Sequence, residues 1–139
     1  TNSIRISNRL YGLPGERDEF ITEPIHFTDQ SAVLTFDLAY RGRQTQTGTL
    51  YDGLQVYASL DCGFSFPHLI YDRSGQDLVT TNNTSFNFPQ QNDWFTQVAP
   101  IPEEASGQSI VLKFVNITGL YLKTSKILGF MLSFLHKIN

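Results

Sequence analysis

The one cysteine, Cys62, lies six residues before His68, and a thiol with a nearby imidazole is the first pairing that could do chemistry. A nucleophilic thiol needs a base or a positive environment to lower its pKa. Cys62 instead stands in Asp61-Cys62-Gly63, a turn signal between two strand-like runs, and reads as a small buried residue at that turn. The three histidines, His26, His68 and His136, are widely spaced and form no helical metal pair, so they read as surface or strand-end residues. Asp18, Glu19, Glu23, Asp37, Asp61 and Asp93 could supply the oxygens of a structural calcium site. Asp18 at a loop-to-strand junction and Asp37 on the polar face of a strand are the two candidates for it. Solvated outward carboxylates are the competing reading. Two facing carboxylates could also hydrolyse a glycoside, and the sequence offers no way to pair them.

The aromatic residues point elsewhere. Tyr11, Tyr51, Phe64, Phe66, Phe88 and Trp94 all lie in or beside loop-like segments, and Gln90, Gln91, Asn92 and Asp93 run into Trp94. Exposed aromatic rings stack on the apolar face of a pyranose while amide, carboxylate and guanidinium groups bond its hydroxyls. Tyr11, Tyr51, Trp94, Asn92 and Arg41 form the candidate ligand-binding set. The sequons at Asn82, Asn83 and Asn116 read as loop composition.

These residues must be positioned by strands. Helical periodicity is nearly absent and period-2 alternation recurs. It is clearest in Ala32–Tyr40 (AVLTFDLAY), with Leu34, Phe36, Leu38 and Tyr40 on the buried face and Val33, Thr35, Asp37 and Ala39 on the other. Ser3–Ser7, Glu19–Ile25, Gly53–Leu60, His68–Asp72, Trp94–Ile101, Ser109–Ile117 and Ile127–Ile138 are the other strands, with Pro24 confining its segment to an edge or strand end. Asn8–Asp18, Arg41–Asp52 and Ser74–Asn92 read as loops, the last with an edge strand at Thr84–Phe88. About eight antiparallel strands in two packed sheets is the jelly-roll count. An open all-β barrel is the alternative, and a parallel α/β fold is excluded because its crossover helices are missing.

At 139 residues, with 40% hydrophobic and 13% aromatic content, the chain supports one packed domain over residues 1–139. A net charge of -3 and scattered basic residues exclude a nucleic-acid face. A single cysteine forms no internal disulfide, which leans toward a reducing compartment, although many secreted bacterial proteins also lack disulfides. Residues 1–20 hold no apolar signal core, and the strand-like beginning points to a mature or excised fragment. Ile127–Leu135, nine residues, is too short for a membrane-spanning helix.

Four segments in order resemble jelly-roll domains related to MAM domains, found in secreted multidomain proteins of Bacteroidetes-type bacteria. They are SIRISN then DEFITEPI (3–8, 18–25), AVLTFDLAY (32–40), DGLQVYASLDCGFSFPHLIY (52–71), and DWFTQ with IVLKFVN (93–97, 110–116). Such domains often accompany pappalysin-like zinc metalloproteases and are similar to the cleaved-adhesin domains of gingipains. The resemblance implies a β-sandwich accessory module, extracellular or at the cell surface, covalently joined to neighbouring domains. It would bind carbohydrate or a protein surface without catalysing a reaction. It also places Phe66 and Trp94 at aromatic positions that plug the core. After Gly119 the chain departs from the family, because Tyr121–Phe134 has no acidic residue where related domains help hold calcium. The reading from another class is a small hydrolase using loop carboxylates or Cys62 with His68.

Overall fold

The computed structural model describes residues 3–6, 13–28, 32–41, 52–81 and 88–119, and the backbone of 130–133. Among them run β1 (Ser3–Ile6), β2 (Arg17–Ile21), β3 (Ile25–His26), β4 (Val33–Tyr40), β5 (Gly53–Ser59), β6 (His68–Ser74), β7 (Phe95–Pro100), β8 (Ser109–Ile117) and β9 (Phe130–Ser133). One sheet has the order β1-β9-β4-β7, the other β2-β8-β5-β6 with β3 also on β8. The antiparallel partners are nested: β1 with β9, β2 with β8, β4 with β7 and β5 with β6. The chain therefore doubles back as one long ribbon whose tip is the β5–β6 connection. Rolling that ribbon so that β4 meets β9 and β5 meets β8 makes the jelly roll.

Leu34, Phe36, Leu38 and Tyr40 of β4 are all buried as read, and Ala39, expected on the other face, is buried too. Facing them are Leu54, Val56 and Ala58 of β5 and Ile110, Leu112 and Phe114 of β8. Phe36 bridges the sheets, its ring centroid 5.4 Å from Phe114 and 5.2 Å from Tyr71, both edge-on. Tyr71, buried at the β6 edge, donates its hydroxyl to Gln97 Oε1 of β7 at 2.9 Å and ties the two edge strands together.

Four expectations need correction. The strand expected over Glu19–Ile25 is two, because Pro24 has no N–H for the ladder and the pairing with β8 resumes only at Ile25. Arg17 and Asp18 belong to β2 rather than to a loop, paired with Ile117 and Asn116. The polar stretch 74–92 holds a 3-10 turn at Gly75–Leu78, whose Leu78 is buried, and a second turn, Gln91–Asp93, ends just past it. The sequon at Asn116 is not loop composition: the residue lies in β8, the strand expected at Ser109–Ile117, and is 1% exposed. The edge strand expected at Thr84–Phe88 falls largely outside the described residues, as do most of the terminal run 127–138 and His136.

Candidate functional site

The register places the loops at two opposite ends. β4 finishes, and β5 starts, at the end where β8 finishes, since Gly53 stands opposite Ile117. There the buried Asp52 accepts the Tyr40 hydroxyl at 2.7 Å and the Gly119 N–H at 2.7 Å, joining the two sheets. Thr80 zips onto the same corner: its N–H donates to the Tyr40 carbonyl at 2.8 Å, and its Oγ1 accepts the Tyr40 N–H at 2.7 Å. Thr118 Oγ1 donates to the Leu13 carbonyl at 3.1 Å and fastens the segment before β2.

Three of the five ligand-binding candidates are described, and all three lie at this end. Arg41 follows Tyr40 directly and is partly exposed. Asn92 is exposed in the Gln91–Asp93 turn, and Trp94 caps that turn just before β7. The turn is set by Asp93, buried, whose carboxylate accepts the Gln90 N–H at 2.7 Å while its own N–H donates to the Gln90 carbonyl at 3.0 Å. Trp94 does not plug the core as the resemblance implied. It is partly exposed and outside the core cluster, because the turn delivers it beyond the last β4–β7 pair, Leu38 with Phe95. Tyr11 and Tyr51 lie outside the described residues. Their described neighbours, Leu13 and Asp52, are anchored at this end.

The opposite end carries the ribbon tip. Phe64 N–H donates to the Asp61 carbonyl at 3.3 Å across Cys62 and Gly63, whose φ values are 59° and 88°. Two successive positive φ values make this a type I′ turn. That geometry corrects the reading of Cys62 as buried: the turn projects from the sheet and leaves the thiol exposed. No hydrogen bond joins Cys62 to His68 among the described residues. Asp61 is a local fastener. It accepts Ser59 Oγ at 2.6 Å, Ser65 Oγ at 2.6 Å and the Ser65 N–H at 2.9 Å. Those bonds, the Ser59 hydroxyl foremost, hold its carboxyl down at about 2. Phe64 projects from the tip, 93% exposed. Phe66, expected in the core, lies instead on the outer face of β8, its ring centroid 4.6 Å from Lys113 Nζ.

The calcium pair does not come together. Asp37 stands on the outer side of β4 and accepts Thr96 Oγ1 at 2.6 Å, whereas Asp18 is in the other sheet opposite Asn116. One ion cannot take oxygens from both. Among the described residues, no three His, Cys, Asp or Glu side chains gather as a metal site.

With the geometry established, one solved structure is informative: the K3 cleaved adhesin domain of Lys-gingipain from Porphyromonas gingivalis W83. It aligns at a TM-score of 0.56 over 95% of this chain and 70% of that one. The two chains share one fold. Their identity is 12%, so the likeness concerns architecture rather than site residues. No family model and no curated protein matches the chain. Among the described residues no helix is long and apolar enough to cross a membrane, a statement that does not extend to spans built of strands.

Proposed function

We propose that the chain is a non-catalytic binding module, an accessory domain of a secreted or cell-surface enzyme or adhesin that holds a carbohydrate or a protein surface. The observation that carries the reading is the fold shared with a cleaved adhesin domain along nearly the whole chain. The gathering of Arg41, Asn92 and Trp94 at one end supports it, because loops on a rigid sandwich are where such modules carry recognition. Tyr11 and Tyr51 complete the proposed surface. The order of motifs supports the finer placement among MAM-related domains that accompany pappalysin-like metalloproteases, and with it one domain inside a larger extracellular protein. The hydrolase reading from Cys62 with His68 is not supported, since no hydrogen bond joins the two among the described residues.

The test is a glycan array together with pull-downs against immobilised extracellular proteins. The wild-type domain should retain a ligand that is lost in Trp94→Ala and Tyr51→Ala while the far-ultraviolet circular dichroism spectrum is unchanged. Clean negatives on both panels refute the binding reading, and turnover of any glycoside or peptide substrate refutes its non-catalytic half.

A further inference from the structure

The outer face of the second sheet carries a block of side chains that neither the fold nor the loop surface uses. Leu54, Val56 and Ala58 point into the core, so Gln55 and Tyr57, between them, point outward. Across β6 their partners are Asp72 for Gln55 and Leu69 for Tyr57. The register shifts between Val56 and Tyr57, where Ile70 is an extra residue that packs against the core. This β-bulge turns Leu69 outward beside Tyr57, where it is 48% exposed. The result is a two-by-two block: an aromatic ring and a leucine in one row, an amide and a carboxylate in the next.

We propose that this quartet, Tyr57, Leu69, Gln55 and Asp72, is a subsite for one neutral hexopyranose ring. The inference rests on the binding-module reading and gives it a site and a ligand class. Neighbouring strands are about 5 Å apart and alternate residues about 7 Å apart, so the block has the footprint of a single sugar ring. That is far below the roughly 800 Å² per partner of a stable protein interface. Its two rows match the two characters of a pyranose. Tyr57 and Leu69 offer an apolar floor for the C–H face. Asp72 offers two acceptor oxygens to adjacent hydroxyls. The Tyr57 hydroxyl donates to Gln55 Oε1 at 2.8 Å, which occupies the amide carbonyl and orients the amide N–H groups as donors.

The surrounding charges select a neutral ring. Lys113, opposite Tyr57 on β8, is committed: its Nζ lies 3.7 Å from Glu19 Oε1 and packs on the rings of Phe66 and Tyr57, at 4.6 and 5.6 Å from their centroids. Glu19 and Lys113 offset one another, and Arg73 lies over the Tyr71 ring, 5.6 Å from its centroid. The Asp72 carboxylate is therefore the charge inside the block, and an anionic sugar is repelled there. Lys113 also holds the Tyr57 ring in place, so little side-chain freedom is lost on binding.

The experiment is a two-dimensional amide NMR titration of the full chain with the methyl glycosides of galactose, mannose, glucose and N-acetylglucosamine, and with glucuronate. At least one neutral glycoside should produce saturable shifts at Gln55, Tyr57, Leu69 and Asp72. Its affinity should fall by about tenfold or more in Tyr57→Ala. Asp72→Asn, an isosteric change on an exposed side chain, should weaken binding without disturbing the spectrum elsewhere. Glucuronate should leave the quartet unshifted. The proposal is overturned if no neutral glycoside shifts the quartet, if the shifts survive Tyr57→Ala, or if glucuronate binds as tightly. Sugar or protein binding mapped to Trp94 and Arg41 would overturn this site and leave the binding-module reading standing. Silence of the domain on every glycan and protein panel would remove both.

Discussion

Asp52→Ala should be among the most damaging polar substitutions in the chain. The residue is 4% exposed, and its carboxylate receives the Tyr40 hydroxyl and the Gly119 N–H, each at 2.7 Å. Truncation leaves both donors buried without that acceptor. An abandoned buried donor costs about 1–3 kcal/mol, more when its lost partner was charged. Relief from burying the carboxylate offsets part of this, and the net loss comes to about 3 kcal/mol. For a chain of this size that is a fall in Tm of roughly 10 °C. Tyr40→Phe removes one donor while leaving the carboxylate its other bond, and should cost only about 1 kcal/mol. The double variant should then lose about 1 kcal/mol less than the sum of the single losses, because the orphaned hydroxyl is gone. Urea unfolding of the four proteins measures these values from the midpoints at constant m. An Asp52→Ala loss below about 1 kcal/mol, or strict additivity with Tyr40→Phe, would refute the network. Because Asp52 directly follows Tyr51, weaker ligand binding by Asp52→Ala at temperatures where it stays folded would also tie this corner to recognition.

Asp61 has its carboxyl lowered to about 2 by the Ser59 and Ser65 bonds, so its stabilisation of the tip is present above pH 3.8 and is lost as pH falls toward 2. The amide signals of Gly63 and Ser65 should report a midpoint near the lower value, and Ser65→Ala should raise it; a wild-type midpoint at or above 3.8 would be inconsistent with those bonds. Tyr71 is pushed up to about 12 by burial, partly offset by Arg73. The unfolded chain gives up this proton first, so stability is intact below pH 10 and declines as pH rises from 10 toward 12; Tyr71→Phe should flatten that alkaline limb of a Tm-against-pH curve. Cys62 is exposed and left-handed at φ 59°, followed by Gly63, so Cys62→Asn, which installs the preferred type I′ pair, should stabilise by about 0.5 kcal/mol. Wild-type Cys62 should also react with a thiol reagent at native pH without unfolding, and protection of the thiol would contradict its placement.

Much of the fold is local enough to read. In β4 the pleat sends alternate residues to opposite faces, so the apolar set Leu34, Phe36, Leu38 and Tyr40 identifies its own buried side. Pro24 marks the break that separates β2 from β3, because its ring removes the N–H a ladder needs. The polar run Gln90–Asp93 before Trp94 is likewise visible, and Asn92 stands exposed in it. The failures have two sources. Residue type favours burial for Cys62, and the family resemblance puts Phe66 and Trp94 in the core, whereas a type I′ turn, the outer face of β8 and the turn before β7 decide their surroundings. Asn116 has loop chemistry in its side chain and lies in a strand because Asp18 and Leu54 flank it across the ladder.

The all-β class and the buried faces of the main strands follow from the sequence, since period-2 alternation is a property of neighbouring residues. The pairing is different. That β1 closes on β9, β2 on β8 and β5 on β6 depends on contacts between segments far apart in the chain, whose cost is loop closure and whose reward is a shared core. Only the tertiary structure therefore brings Arg41, Asn92 and Trp94 to one end and Cys62 to the other. It alone sets Leu69 beside Tyr57, because one extra residue at Ile70 reverses the parity of a strand and no local pattern announces where the partner strand will absorb it.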